Sequence, residues 1–144
     1  MDEKLKELID GLNEDLANEY AASIMYTNYA AMVSGLFRQT LKPFFEGEIS
    51  DEQGHAIYLA EKIATLGGTP TVSPAEVKQT TDVKEMLESA YQAEKETIDR
   101  YETRKKPAEE LGLTELVVKL EDLISDETGH MEELGRILAD SRFE

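Results

Sequence analysis

The segment Ile49-Ser50-Asp51-Glu52-Gln53-Gly54-His55 recurs, with one change, as Ile124-Ser125-Asp126-Glu127-Thr128-Gly129-His130. The copies lie 75 positions apart and contain both histidines of the chain. The same offset pairs Glu19 with Glu94, Tyr26 with Tyr101, Leu12 with Leu87, Leu41 with Leu116 and Leu59 with Leu134. A chain that repeats itself in this way reads as two similar halves. Each half offers one lone Glu followed by one Glu-x-x-His, in which carboxylate and imidazole share a helical face one turn apart.

The periodicity is helical throughout. Apolar positions at steps of three or four run through Leu5, Leu8, Leu12, Leu16, Tyr26 and Val33, then through Leu41, Phe45, Leu59 and Ile63. A third stretch runs through Val83, Leu87, Ala90, Ile98 and Tyr101, and a fourth through Leu113, Leu116, Leu120, Leu123, Leu134 and Ile137. No stretch alternates as a strand would. Gly35, Gly67-Gly68 and Gly112 mark helix ends, and Asp82 with Glu85 forms a capping box that opens the third helix. The connection over about residues 67–81 is long enough to cross the length of a bundle, and its Ser73-Pro74-Ala75-Glu76 is expected to open one short helical turn. Pro43 and Pro107 fall inside helical patterns, where a kink or a restart is expected. The fold class is therefore all-α: an antiparallel four-helix bundle of two helical hairpins joined by a long crossover, one domain over residues 1–144.

Composition excludes several chemistries. There is no cysteine, so disulfides, thiolate nucleophiles and iron–sulfur clusters are ruled out, and any metal must be held by oxygen and nitrogen. The formal net charge of −16 argues against nucleic acid as a partner. The charged start Met1-Asp2-Glu3-Lys4 does not resemble a signal peptide, and no segment approaches the ~20 apolar residues of a membrane span. A soluble, cytoplasmic protein with no membrane partner is expected.

Glu19, Glu52, His55, Glu94, Glu127 and His130 all fall in phase with the leucines. One unpaired buried carboxylate costs several kcal/mol, and four together repel one another. No lysine or arginine lies in phase nearby. Taken singly, such a Glu is most often a rim residue and such a His a hydrogen-bonded core residue. Six of them at matching depth, repeated under one offset, point to a dinuclear metal site. Four carboxylates balance two divalent cations, and mixed oxygen and imidazole ligation suits Fe or Mn. Asp51 and Asp126 are candidates to accept the second imidazole N–H, each from the histidine of the opposite half. Tyr26, two turns beyond Glu19, is the candidate catalytic residue, able to hydrogen-bond a ligand carboxylate or supply an electron. Gly54 and Gly129 mark a close approach of another helix, a widened turn, or simple inheritance from the duplication. Glu48 lies one turn before Glu52, but its repeat mate is Leu123, and it is left outside the site on that ground.

Asn18-Glu19-Tyr20, Asp51-Glu52-Gln53-Gly54-His55 and Asp126-Glu127-Thr128-Gly129-His130 resemble the ferritin-like family of di-iron carboxylate proteins, and bacterioferritin most. The resemblance implies that Glu19 and His55 hold one iron, that Glu94 and His130 hold the other, and that Glu52 and Glu127 bridge. It implies ferroxidase activity on Fe(II), with O2 or H2O2 as oxidant, for iron storage or detoxification in a homo-oligomer. The position of the family's haem-binding methionine is Gln53, so no haem is expected. The chain ends soon after the fourth helix, without the family's fifth, which leaves a dimer, a smaller shell and the usual 24-subunit cage all open. A rubrerythrin-like peroxide scavenger fed by an electron-donor protein is the nearest rival, although its second third-helix Glu is Thr97 here. A non-catalytic, metal-stabilised acidic bundle is the other.

Overall fold

The computed structural model describes residues 2–144. Four helices, α1 (Glu3–Met32), α2 (Arg38–Thr65), α3 (Val83–Glu110) and α4 (Thr114–Leu138), are followed by a short 3-10 turn at Ser141–Phe143. Among the described residues there is no strand. α1 packs along α2, α3 along α4, and α1 lies beside α3. Glu19 and Tyr26 of α1 meet Tyr101 and Glu94 of α3 respectively, which sets those two helices antiparallel. Asp51 and His55 of α2 meet His130 and Asp126 of α4, and these are antiparallel too. No described helix is long and apolar enough to cross a membrane.

Two helix ends are fixed by glycine at positive φ. At Gly67 (φ 95°) the chain turns so that the Gly68 N–H donates to the Ile63 carbonyl at 2.9 Å and the Gly67 N–H to that of Ala64 at 3.0 Å. At Gly112 (φ 72°) the Leu113 N–H donates to Ala108 and the Gly112 N–H to Glu109, both at 3.0 Å. Each pair satisfies carbonyls that a helix end otherwise leaves open. Asp82 caps α3 by accepting from the Glu85 N–H at 3.0 Å. The reciprocal half of the box is rearranged: the Asp82 N–H donates to Thr80 Oγ1, whose hydroxyl donates to the Glu85 carboxylate.

One local expectation is corrected and two are narrowed. Residues 73–76 form no helical turn; the Ala75 N–H is taken instead by the Ala17 carbonyl of α1 at 2.9 Å. Asn13 holds the same crossover, donating to the Thr69 carbonyl and accepting from the Thr71 N–H. α2 and α3 run through Pro43 and Pro107 without a restart. The carbonyls freed there belong to Gln39 and Thr103, both at exposed positions where water can satisfy them. Nothing lies within 4 Å of a side chain placed at Gly54 or Gly129, and both helices keep their regular turn there. No close approach accounts for these glycines, and nothing else in the structure explains them.

The core is two apolar layers. One is built from Leu8, Leu12, Leu16, Leu59, Ile63, Leu116, Leu120 and their neighbours. The other is built from Met25, Tyr29, Leu41, Phe45, Met86, Leu87, Leu134 and theirs. Repeat mates fall in opposite layers: Leu12 and Leu87, Leu59 and Leu134, Tyr101 and Tyr26. The 75-residue offset is thus a pseudo-two-fold across the bundle, and the polar residues it relates fall between the two layers.

Candidate metal centre

Every residue singled out by phase reaches that middle layer. Glu19, Glu52, Glu94 and Glu127 are 1–2% exposed, and His55 is 7% exposed. Each imidazole turns Nδ1 inward and Nε2 outward. Nε2 of His55 lies 3.2 Å from Asp126, and Nε2 of His130 lies 3.0 Å from Asp51. Each aspartate thus serves the histidine of the opposite half, as its place beside the paired Glu predicted. A carboxylate on Nε2 holds the proton there and leaves Nδ1 free to bind a cation.

Carboxylate oxygens surround both Nδ1 atoms. Around His55 Nδ1 stand Glu127 at 3.1 Å, Glu19 at 3.6 Å and Glu52 at 4.0 Å. Around His130 Nδ1 stand Glu48 at 2.8 Å, Glu52 and Glu127 at 3.6 Å, and Glu94 at 3.8 Å. Glu52 and Glu127 reach both imidazoles, whereas Glu19 reaches only His55 and Glu94 only His130. Glu19, Glu52, His55 and Glu127 form one group able to hold an ion, and Glu48, Glu52, Glu94 and His130 form a second. Glu48 was set aside on the symmetry of the repeat, yet it is 8% exposed and belongs to the second group. Its helical phase was the signal that could have found it.

The two tyrosines brace this layer crosswise. The Tyr26 hydroxyl donates to Glu94 Oε1 at 2.6 Å, and the Tyr101 hydroxyl donates to Glu19 Oε1. Burial, with the carboxylates alongside, keeps both phenols protonated well above their usual range. Asp15, one turn before Glu19, was not foreseen. It is buried and meets Arg104 Nε at 3.0 Å and Arg100 at 3.9 Å, tying α1 to α3.

Electrostatics show what the layer lacks. Burial, then the charge of Glu19, pushes the Glu52 carboxyl well up. Burial and the adjoining Glu94 do the same to Glu127, while Glu94 itself is held down, despite burial, by the nearby Glu127 and His130 and by the Tyr26 hydroxyl. Burial opposes charge on His55, but Glu19, Glu52 and Asp126 outweigh it and lift the imidazole to about 9. Without cations the cluster therefore retains protons. One oxygen on each of Glu19, Glu48, Glu52, Glu94 and Glu127, together with both Nδ1 atoms, is buried with no hydrogen-bond partner. Orphaned buried polar atoms of this kind are rare in folded proteins. Seven of them converging, all oxygen or imidazole nitrogen, fit two cations of the Fe or Mn type.

The ferritin-like domain profile matches residues 9–143. The chain belongs to the ferritin-like family. A ferritin-like, diiron-carboxylate protein from Bacillus anthracis is 70% identical, with a TM-score of 0.94 over 96% of this chain and 99% of that one. The bacterial ferritin of Neisseria meningitidis is 29% identical over 135 residues, 91% of this chain and 88% of its own length. A dodecameric, bacterioferritin-related thioferritin from Bacteroides fragilis is 25% identical, with a TM-score of 0.86 over 94% of this chain and 86% of that one. A Dps protein from Bacillus brevis shares the fold at 19% identity and a TM-score of 0.87, covering 96% of this chain and 99% of that one. The all-α four-helix bundle and the ferritin-like resemblance are both borne out.

Proposed function

We propose that this ferritin-like protein is a di-iron ferroxidase, cytoplasmic and homo-oligomeric, which oxidises Fe(II) with O2 or H2O2 for iron storage or detoxification. The observation that carries the reading is the set of seven orphaned donor atoms around two imidazoles at mid-bundle. Glu19 and His55 hold one ion, Glu94 and His130 the other, and Glu52 and Glu127 lie between the two. Two Fe(II) ions are the substrate: they give two electrons, and H2O2 with two protons becomes two waters. Glu52, Glu127 and the imidazoles release their protons as the ions enter, which supplies protons near the oxidant. The exposed Asp51 and Asp126 hold the outer edges of both histidines, so entry is assigned to the α2/α4 face. Tyr26 steadies Glu94, and where only one Fe(II) is bound it is placed to supply the second electron that H2O2 takes, passing its phenolic proton to that carboxylate.

Assembly has its own support. Tyr20, Ile24, Gln53, Ile57 and Val72 line an uncharged groove on the α1/α2 face, in a chain of net charge −16. Ile57 is 69% and Val72 91% exposed. Such a patch is where a second copy can dock without charge repulsion. The thioferritin relative is described as dodecameric.

The deciding experiment loads the chain anaerobically with Fe(II) and then adds O2 or H2O2. Uptake and oxidation of two Fe(II) per chain are expected, with mineral growth on further Fe(II) and an oligomer by light scattering. Tyr26→Phe should slow the step and abolish any tyrosyl radical signal, while Tyr101→Phe should spare that signal. Turnover of peroxide with a reductant and no mineral would favour the rubrerythrin-like alternative instead. Unfolding on chelation would favour the metal-stabilised bundle.

A further inference from the structure

The repeat relates nearly every polar residue of the middle layer across the pseudo-two-fold: Glu19 to Glu94, Glu52 to Glu127, His55 to His130, Asp51 to Asp126, Tyr26 to Tyr101. Glu48 breaks it. Its mate Leu123 packs into the apolar layer built around Leu12 and Leu116, whereas the Glu48 carboxylate lies 2.8 Å from His130 Nδ1. Oxygens from four glutamates stand within 4 Å of that nitrogen, and from three around His55 Nδ1. Glu48 Oε2 is buried without a hydrogen-bond partner, and no lysine or arginine pairs with it. A desolvated carboxylate so placed needs positive charge, and without a metal ion only the His130 imidazole supplies it.

We propose that the two half-sites are unequal, that Glu48 is an additional metal ligand at the His130 position, and that this position fills first and holds a divalent cation more tightly. The proposal rests on the dinuclear reading above and adds an order of filling to it. Ligand charge count tunes cation affinity over orders of magnitude, so one more carboxylate is expected to separate the two steps by at least about tenfold.

The test is an anaerobic titration of the full-length chain with Co(II), which stays divalent, followed by calorimetry and by proton NMR of the imidazoles. Only two histidines are present, so a His55→Gln variant assigns both signals. In the wild type the first equivalent should bring the contact-shifted signals of a coordinated imidazole from His130 alone, and those of His55 should appear only with the second. Glu48→Gln should weaken the first step at least about tenfold and make both imidazoles respond together. Glu48→Leu, which copies the residue at Leu123, should do the same and removes any amide ligation. A wild type that fills both positions together, or a Glu48→Gln chain that keeps the order, overturns the proposal while leaving the dinuclear centre standing. A folded chain that takes up no Co(II) overturns both.

Discussion

The α1–α2 hairpin and the α3–α4 hairpin carry one sequence plan, and the places where they part are instructive. Shared positions do the same work in both. Leu12 and Leu87 are each fully buried, one in each apolar layer, and Tyr26 and Tyr101 each donate to a glutamate of the other hairpin. The differences are polar. α1–α2 has a carboxylate at Glu48 where α3–α4 has Leu123, and a buried Asp15 where α3–α4 has Ala90. An apolar core tolerates symmetric duplication because leucine packing is local and non-directional. A charge in that core survives only with a partner. Asp15 finds arginines on α3, and Glu48 finds the imidazole on α4. The duplicated bundle is a scaffold whose halves diverged where tertiary contact could compensate a charge.

The largest test of that comparison is in the apolar layers. Leu12→Ala and Leu87→Ala should each lower unfolding free energy by about 2–5 kcal/mol, by similar amounts, in denaturant melts. A large disparity would mean that the two layers are not equivalent. Next come the shared carboxylates. Glu52→Gln and Glu127→Gln should each weaken uptake of both divalent ions by more than about 100-fold, beyond the 10–100-fold expected for an outer partner. Each should leave the melting temperature of the metal-free chain nearly unchanged, because the carboxyl it replaces is already protonated there. If either variant lost only one ion, the bridging position of that residue would be wrong.

Smaller effects sharpen the picture. Asp51→Asn should weaken the His130 position and Asp126→Asn the His55 position, each by about 10–100-fold in metal titration. The two variants reach opposite ends of the centre, so identical profiles would break the crossed pairing. A pH-dependent effect belongs to Asp15, whose carboxyl is pushed up to about 7 by burial despite Arg104 and Arg100. Raised in the folded state above 3.8 in the unfolded chain, it contributes stability that is complete below about pH 3.8 and lost as pH climbs through 7. The wild-type stability curve should lose at most about 1.4 kcal/mol per pH unit from this group across that window, and Asp15→Asn should flatten it there. NMR titration of the Asp15 carboxyl carbon with a midpoint near 4 would refute the assignment.

Much of the centre was legible before any fold was known. Phase placed Glu19, Glu52, His55, Glu94, Glu127 and His130 on buried faces, and the neighbouring aspartates on the outer side of the opposite histidines. Those readings worked because helical period converts spacing directly into direction. What failed needed contacts from elsewhere in the chain. Ser73–Glu76 has the composition of a helix start, but its backbone is claimed by Ala17. Pro43 and Pro107 cause no restart, the one of the two expected outcomes that the continuous helices exclude, because the carbonyls they free lie at exposed positions. Gly54 and Gly129 carry no packing role that the repeat implied. Glu48 was rejected by an argument from symmetry, and symmetry in a duplicated sequence describes ancestry rather than present contacts.

By itself, then, the sequence determined four amphipathic helices, their pairing into like halves, and a belt of carboxylates and imidazoles too costly to bury without cations. Those follow from periodicity and from the free energy of burying charge, both properties of residues in order along a chain. Only the tertiary structure decided which oxygens face which nitrogen. Distances of 2.8–4.0 Å between residues up to 82 positions apart, from Glu48 to His130, depend on how whole helices are set against one another. That setting is fixed by the leucine layers on either side of the belt, not by the belt itself.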